Sequence, residues 1–363
     1  MNGRAHASPN GLLLPKASRL TPKNSPNLEK DKAVLISQVK NNDGSITVAV
    51  RELGKGARAV RGATSVYALA MEAANSGKSL KAVVEAHGLG DEVDLQDVYA
   101  KGQFLPPITH PDAAHLHLTG TGLTHLGSAA TRDAMHAAVS KVEEGATDTM
   151  KMFKMGLEGG KPKPGEKGVQ PEWFYKGNGS QTVAPGGDLV SPSFAQDGGE
   201  EPEMAGIYVI SDKGAPFRIG FAVANEFSDH VTERVNYLYL AHSKLRPASF
   251  GPEIRIGEAP SDIRGTSRII RNGAVLWEKP FLSGETNMSH SFANLEYHHF
   301  KYGIFRAPGD VHVHMFGTAT LSFGDGVKTE TGDIFEIEAS EFGLPLRNTL
   351  AVAGEDEVTI GQL

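Results

Sequence analysis

The sequence predicts an α+β fold dominated by β-structure, and three observations carry that prediction. Runs rich in β-branched and aromatic residues recur along the chain, among them AVLISQV from Ala33, SITVAVREL, EPEMAGIYVI from Glu201 and FRIGFAVANEF; such runs suit a pleated, half-buried surface. After Phe250 the turn signals NGA, SGE, PGD, GDG and TGD punctuate a strand-rich remainder, each supplying the Gly, Asn or Asp that tight turns require. Amphipathic helical spacing appears near Ser65 to Asn75 and again from roughly Ser128, which adds helices to a chain that is otherwise mainly strand.

Taken in order, residues 1–32 are rich in Asn, Pro, Ser and Lys without apolar periodicity, and are expected to be a disordered tail. From Ala33 a hairpin around the turn at Asp43-Gly44, followed by the helix near Ser65, makes a small N-terminal α/β module over 33–110. The proline-rich FLPPITHPD at 104–112 is its boundary, because proline neither continues a helix nor sits in a central strand. Residues 111–363 form the main domain. Within it, Gly145 to Gly168 ends in KPKPGEKG, either a mobile lid or a plain long loop.

Composition excludes several function classes. The 363 residues leave room for two domains. With 36 basic and 43 acidic residues, net −7, the chain has no electrostatic footprint for nucleic acid or an anionic membrane. The absence of cysteine removes disulfides, thiolate nucleophiles and cysteine zinc sites, leaving carboxylate and histidine as metal ligands. No stretch reaches the length of a membrane span, and Leu12 to Leu14 is too short for a signal-peptide core. A soluble, cytoplasmic protein is the expectation.

The stretch from Glu201 to Phe250 organises the chain. EPEMAGIYVI and FRIGFAVANEF flank the polar break SDKGAP, the pattern of a hairpin. Residues two apart in a strand share a face, so Glu201 and Glu203 point one way and Pro202 the other. A two-residue loop at Lys213-Gly214 sets Glu226 opposite Glu201; a four-residue loop, Lys213 to Pro216, sets it opposite Glu203; an odd-length loop sets it opposite Pro202. In both even registers three carboxylates share one face. They cannot all stay ionised without a compensating cation, and all-oxygen ligation favours Mg2+, with Mn2+ or Ca2+ as substitutes. The bland alternative is a solvated strand face.

Lys244 is either a solvated surface charge, a cation holding a substrate carboxylate, or a base whose protonated form is disfavoured beside a divalent ion in a desolvated pocket. His115-x-His117 and His312-x-His314 each put two imidazoles on one strand face, which suits zinc or iron. With the carboxylates already accounting for a metal, packing and hydrogen bonding are the readings taken for these histidines. His298-His299 and the run Trp277 to Phe281 read as structural.

The motif order FYKG at 174–177, E-x-E at Glu201 and Glu203, ANEFSDH, Ser243-Lys244 and FGTAT resembles the fumarylacetoacetate hydrolase superfamily over about residues 115–350, and EPE followed by TNMS resembles its sugar-acid dehydratase branch. The resemblance implies a mixed β-sandwich or roll as the catalytic domain. It implies metal ligation by Glu201, Glu203 and Glu226, the last replacing a more usual aspartate, an active-site lysine at Lys244, and a carboxylate-binding threonine at Thr318. Lys176 of FYKG, and His230 where an arginine is usual, are implied substrate contacts. Hydrolases of the family carry a His and a Glu at the start of the helix after the glycine turn, and Ser128 and Thr131 stand there in this chain; His125 lies one turn earlier. The resemblance thus implies a Mg2+-dependent lyase that dehydrates a 2-keto-3-deoxy pentonate or hexonate in sugar catabolism, with Ser128, Thr131 or His125 helping the hydroxyl leave. A carbon–carbon bond hydrolase of a diketo acid and a non-catalytic sugar-acid binding protein are the alternatives. A homodimer is expected.

Overall fold

The computed structural model describes residues 33–127 and 147–363, and Ala33 to Leu363 form one compact unit. The expected tail and the helix expected from Ser128 lie outside the described residues. Among the described residues the strands assemble into a mixed sheet of 12 strands and a second sheet of 5. This is the β-dominated α+β class expected.

The large sheet is built around the strand Pro202–Ile210, which lies between Pro216–Asn225 and Val311–Met315. All nine of its positions are buried, as a strand that is apolar apart from Glu203 requires when both sheet faces are covered. One face is covered by the helices Val66–Ser76 and Leu80–His87, whose Val66, Leu69 and Val83 pack on Ile36, Ile207, Val209 and Val313. The other receives the second sheet, where Met204, Phe221 and Val223 meet Phe281, Ile337 and Leu346.

Local chemistry sets the boundaries. Ser65 caps the first helix by accepting from Ala68 N–H, and Gly77 closes it in the left-handed conformation at φ 69°. Asn272 and Gly273, both at positive φ (52° and 78°), turn Ile263–Arg271 into Ala274–Ser283, the role an Asn-Gly pair fills in a tight hairpin. The expected lid or long loop is in part a helix, Asp148–Gly159, and only the KPKPGEKG end is a loop, in which Lys161 Nζ donates to the Glu285 carbonyl at 2.5 Å and Gly168 N–H to Asn294 Oδ1 at 3.0 Å.

The central hairpin departs from its expected turn. Ile210 pairs with Pro216, leaving an odd five-residue loop, and a β-bulge between Arg218 and Gly220 then shifts the register by one. The loop alone would set Glu226 opposite Glu200. Beyond the bulge, Glu203 faces Ala224 and Glu226 N–H donates to the Glu201 carbonyl at 3.1 Å. The bulge therefore restores the even-loop register that places Glu226 opposite Glu201.

The helix Phe292–Phe300 lays His299 over the sheet, stacked on His314 at 4.4 Å. Both rings are fully buried. Burial pushes His299 down to about 3, against about 6.5 in an unfolded chain. The folded state therefore binds this proton less readily, so the stability it contributes is complete above about pH 6.5 and is lost as pH falls toward 3. Thermal midpoints measured from neutral to acid pH should fall, and His299→Gln should flatten that fall. An identical slope in the variant would contradict the assignment.

Candidate metal centre

Glu201, Glu203 and Glu226 converge at one end of the central hairpin, with a carboxylate oxygen of each within 4.8 Å of the others. All three are buried, at 7%, 0% and 1% exposure. Glu203 Oε2 accepts the Gly317 N–H at 2.7 Å, while its Oε1 is buried with no hydrogen-bond partner among the described residues. Burial first, then the charges of Glu226 and Glu201, push the Glu203 carboxyl well above the carboxylate range. An orphaned carboxylate oxygen facing two further carboxylates fits a hard divalent cation such as Mg2+.

The cationic side chains sit to one side of the trio. Lys244, itself 2% exposed, lies 2.5 Å from Glu201 Oε1, 3.2 Å from Glu226 Oε1 and 4.0 Å from Glu233 Oε2, with its ammonium over the Phe174 ring. Burial alone would lower its pKa, but Glu201, Glu226 and Glu233 outweigh burial and raise it. For Glu201 the balance runs the same way: burial raises the carboxyl, and Lys244 with His230 more than offsets that and lowers it. Lys176, fully buried, donates to the carbonyls of Phe227 and of Lys244 and lies 3.6 Å from Glu226. Burial pulls it down to about 8, with Glu226 only partly opposing. Lys176 thus braces the loop under the site.

His230 begins the short helix His230–Val235 and bridges Asp197 Oδ2 and Glu201 Oε1, each at 3.1 Å. Burial opposes its charge, yet these two carboxylates raise it to about 10. It also stacks on Phe323 at 5.2 Å. The glutamates, His230, Glu233, Lys244 and Thr318 line a cavity of about 20 Å³, room for an ion or a water. His125 is not among the described residues lining it; it is buried, 2.9 Å from Ser283 Oγ and 3.1 Å from Thr124 Oγ1, and burial pulls it down to about 3. Ser128 and Thr131 lie outside the described residues.

Sequence reading did not single out Glu200, Asp197 or Glu233. Glu200, fully buried, accepts from Ser322 N–H at 2.9 Å and Ser322 Oγ–H at 2.7 Å. With Gly317 held by Glu203, the two glutamates pin both ends of the loop that carries Thr318. Asp197 and Glu233 carry no motif; only the acidic density of NEFSDHVTER hinted at the second. If Glu203 is a ligand and Glu200 a loop anchor, Glu203→Gln should weaken Mg2+ binding by more than the roughly 10–100-fold typical of losing an outer partner, and Glu200→Gln by less. Calorimetric titration showing equal losses would refute the division.

No protein-family model and no curated protein matches the sequence. Solved structures do match. The 2-keto-3-deoxy-D-arabinonate dehydratase apo form aligns at TM-score 0.64 and 20% identity, covering 89% of this chain and 100% of that one. The same enzyme complexed with magnesium and 2,5-dioxopentanoate aligns at TM-score 0.63, also at 20% identity with 89% and 100% coverage. The 2-hydroxyhepta-2,4-diene-1,7-dioate isomerase from Mycobacterium marinum aligns at TM-score 0.52 and 16% identity, again over 89% and 100%. The chain therefore has the fold of these enzymes, the fold implied by its motif resemblance to the fumarylacetoacetate hydrolase superfamily.

Proposed function

We propose that this chain is a divalent-metal-dependent enzyme that dehydrates a 2-keto-3-deoxy sugar acid by removing a C3 proton and expelling the C4 hydroxyl as water. The observation that carries this reading is the buried trio Glu201, Glu203 and Glu226 with Lys244 held against it. The three glutamates would hold Mg2+, which when bound supplies Lewis-acid polarisation of a 2-keto acid. The ligand of the magnesium-containing dehydratase, 2,5-dioxopentanoate, has the formula of a 2-keto-3-deoxypentonate less one water, which supports elimination.

Lys244 is the base in this scheme. Its charge is sustained by Glu201, Glu226 and Glu233, and any competing claim on those carboxylates moves it toward the neutral amine that can accept the C3 proton. Thr318 is suited to the substrate carboxylate. His230, a cation on the cavity wall, is suited to the hydroxylated tail and can donate the proton that leaves with the C4 hydroxyl. Ser128 and Thr131 remain proposed donors for that step.

The homodimer is supported by the exposed apolar Phe194, Tyr239 and Leu245, which line one surface groove. Light scattering of the full chain should give twice the monomer mass; a monomer would overturn that part alone.

Chelation should abolish turnover and Mg2+ should restore it. Lys244→Met should lower kcat by about 10²–10⁴-fold while Mg2+ still binds. Mass spectrometry of the reaction with 2-keto-3-deoxy pentonates and hexonates should find one product lighter by water. Two fragments from a diketo acid, with the deoxy acids untouched, would replace the dehydratase by a hydrolase.

A further inference from the structure

We propose that His117, Asp310 and His312 form a second metal site, distinct from the glutamates, that takes Zn2+ or a similar nitrogen-preferring dication. The strands Leu116–Gly120 and Val311–Met315 run parallel and set His117 opposite His312, while Asp310, two residues before His312, falls on the same side. One donor atom from each of the three side chains lies within 4.8 Å of the others. Two imidazoles and a carboxylate suit zinc and its neighbours rather than Mg2+. His312 pairs with Tyr208, five residues along the strand from Glu203, which separates the two centres by about 17 Å.

The hydrogen bonding supplies an independent observation. His312 is fully buried; its Nδ1 lies 3.0 Å from His299 Nε2, and, apart from an approach of the ring to the Phe305 backbone, its Nε2 has no hydrogen-bond partner among the described residues. Nε2 is therefore the nitrogen open to a ligand. His117 reaches Asp310 Oδ2 through Nε2 at 3.2 Å, and its Nδ1 is also buried without a partner among the described residues. Two orphaned imidazole nitrogens on facing residues are rare in a native interior unless something binds them. His115, 50% exposed and 2.7 Å from Asp310 Oδ1, orients the carboxylate as outer partners of metal ligands do. With His117 itself 18% exposed, the cluster opens toward solvent.

The neighbouring tautomers give loading a reporter. Trp173 Nε1–H donates to His299 Nδ1 at 3.2 Å, so neutral His299 carries its proton on Nε2 and donates to His312 Nδ1, and the His312 proton rests on Nε2. A metal at His312 Nε2 moves that proton to Nδ1. His312 then donates to His299 Nε2, the His299 proton moves to its own Nδ1, and Trp173 loses its acceptor. No proton is gained or lost overall.

The test uses the full chain, stripped of metal and then saturated with Mg2+. Zn2+ titration should change tryptophan emission with one-equivalent saturation, and the change should vanish in Trp173→Phe. Co2+ should give a visible absorption band of nitrogen ligation. His115→Gln should weaken Zn2+ binding roughly 10–100-fold, and His117→Gln by more, with circular dichroism checking that both variants fold. The Co2+ band should persist in Glu203→Gln, which separates this site from the function proposed above. The proposal is overturned if no band forms, if the band survives His117→Gln combined with Asp310→Asn, or if it disappears in Glu203→Gln.

Discussion

The site depends on keeping three carboxylates dry and close together. Like charges within a few ångströms repel strongly in a low-dielectric interior, and burial of each costs several kcal/mol after relaxation, on the order typical of buried ions. The chain offsets this unevenly. Glu201 is satisfied by Lys244 and His230, Glu226 by Lys244 and Lys176, and Glu203 by a single backbone N–H. Among the described residues the imbalance leaves one oxygen of Glu203 unsatisfied, and that oxygen marks where a further positive charge belongs.

Holding the glutamates there is a matter of register. A slip of one residue in the hairpin would send Glu226 to the other sheet face. The odd loop introduces such a slip and the bulge at Ile219 removes it. Gly220 is what the bulge needs: a Cβ there would lie 2.1 Å from the Arg255 carbonyl of the adjacent strand. The close approach of Ile254–Ile256 and the alignment of the metal ligands are thus coupled through one glycine.

This explains what was legible in the sequence. Glu201 and Glu203 share a face because strand periodicity is local, and the chain spells it out. The bulge was not legible, because the glycine beside it answers to the Arg255 carbonyl, a tertiary neighbour. The same holds for Lys176, whose role comes from the carbonyls of Phe227 and Lys244, and for Glu200, whose partner Ser322 is 122 residues away. The turn at Asn272-Gly273 was legible because its positive φ values are a property of two adjacent residues.

The central sheet carries its chemistry at its two ends, and the residue types differ for a physical reason. Carboxylates stay useful when buried only if cations or N–H donors hold their charge, which is why Lys176, Lys244 and His230 crowd the glutamate end. Imidazoles can be buried neutral, so the opposite end tolerates His299 packed against His312, His314 and Phe305. Their cost is directional rather than coulombic: each ring has one donor and one acceptor to satisfy. In the row fixed at one end by the Trp173 N–H, the proton positions of His299 and His312 are dictated in turn, which leaves His312 Nε2 unsatisfied among the described residues, as His314 Nε2 is beside it.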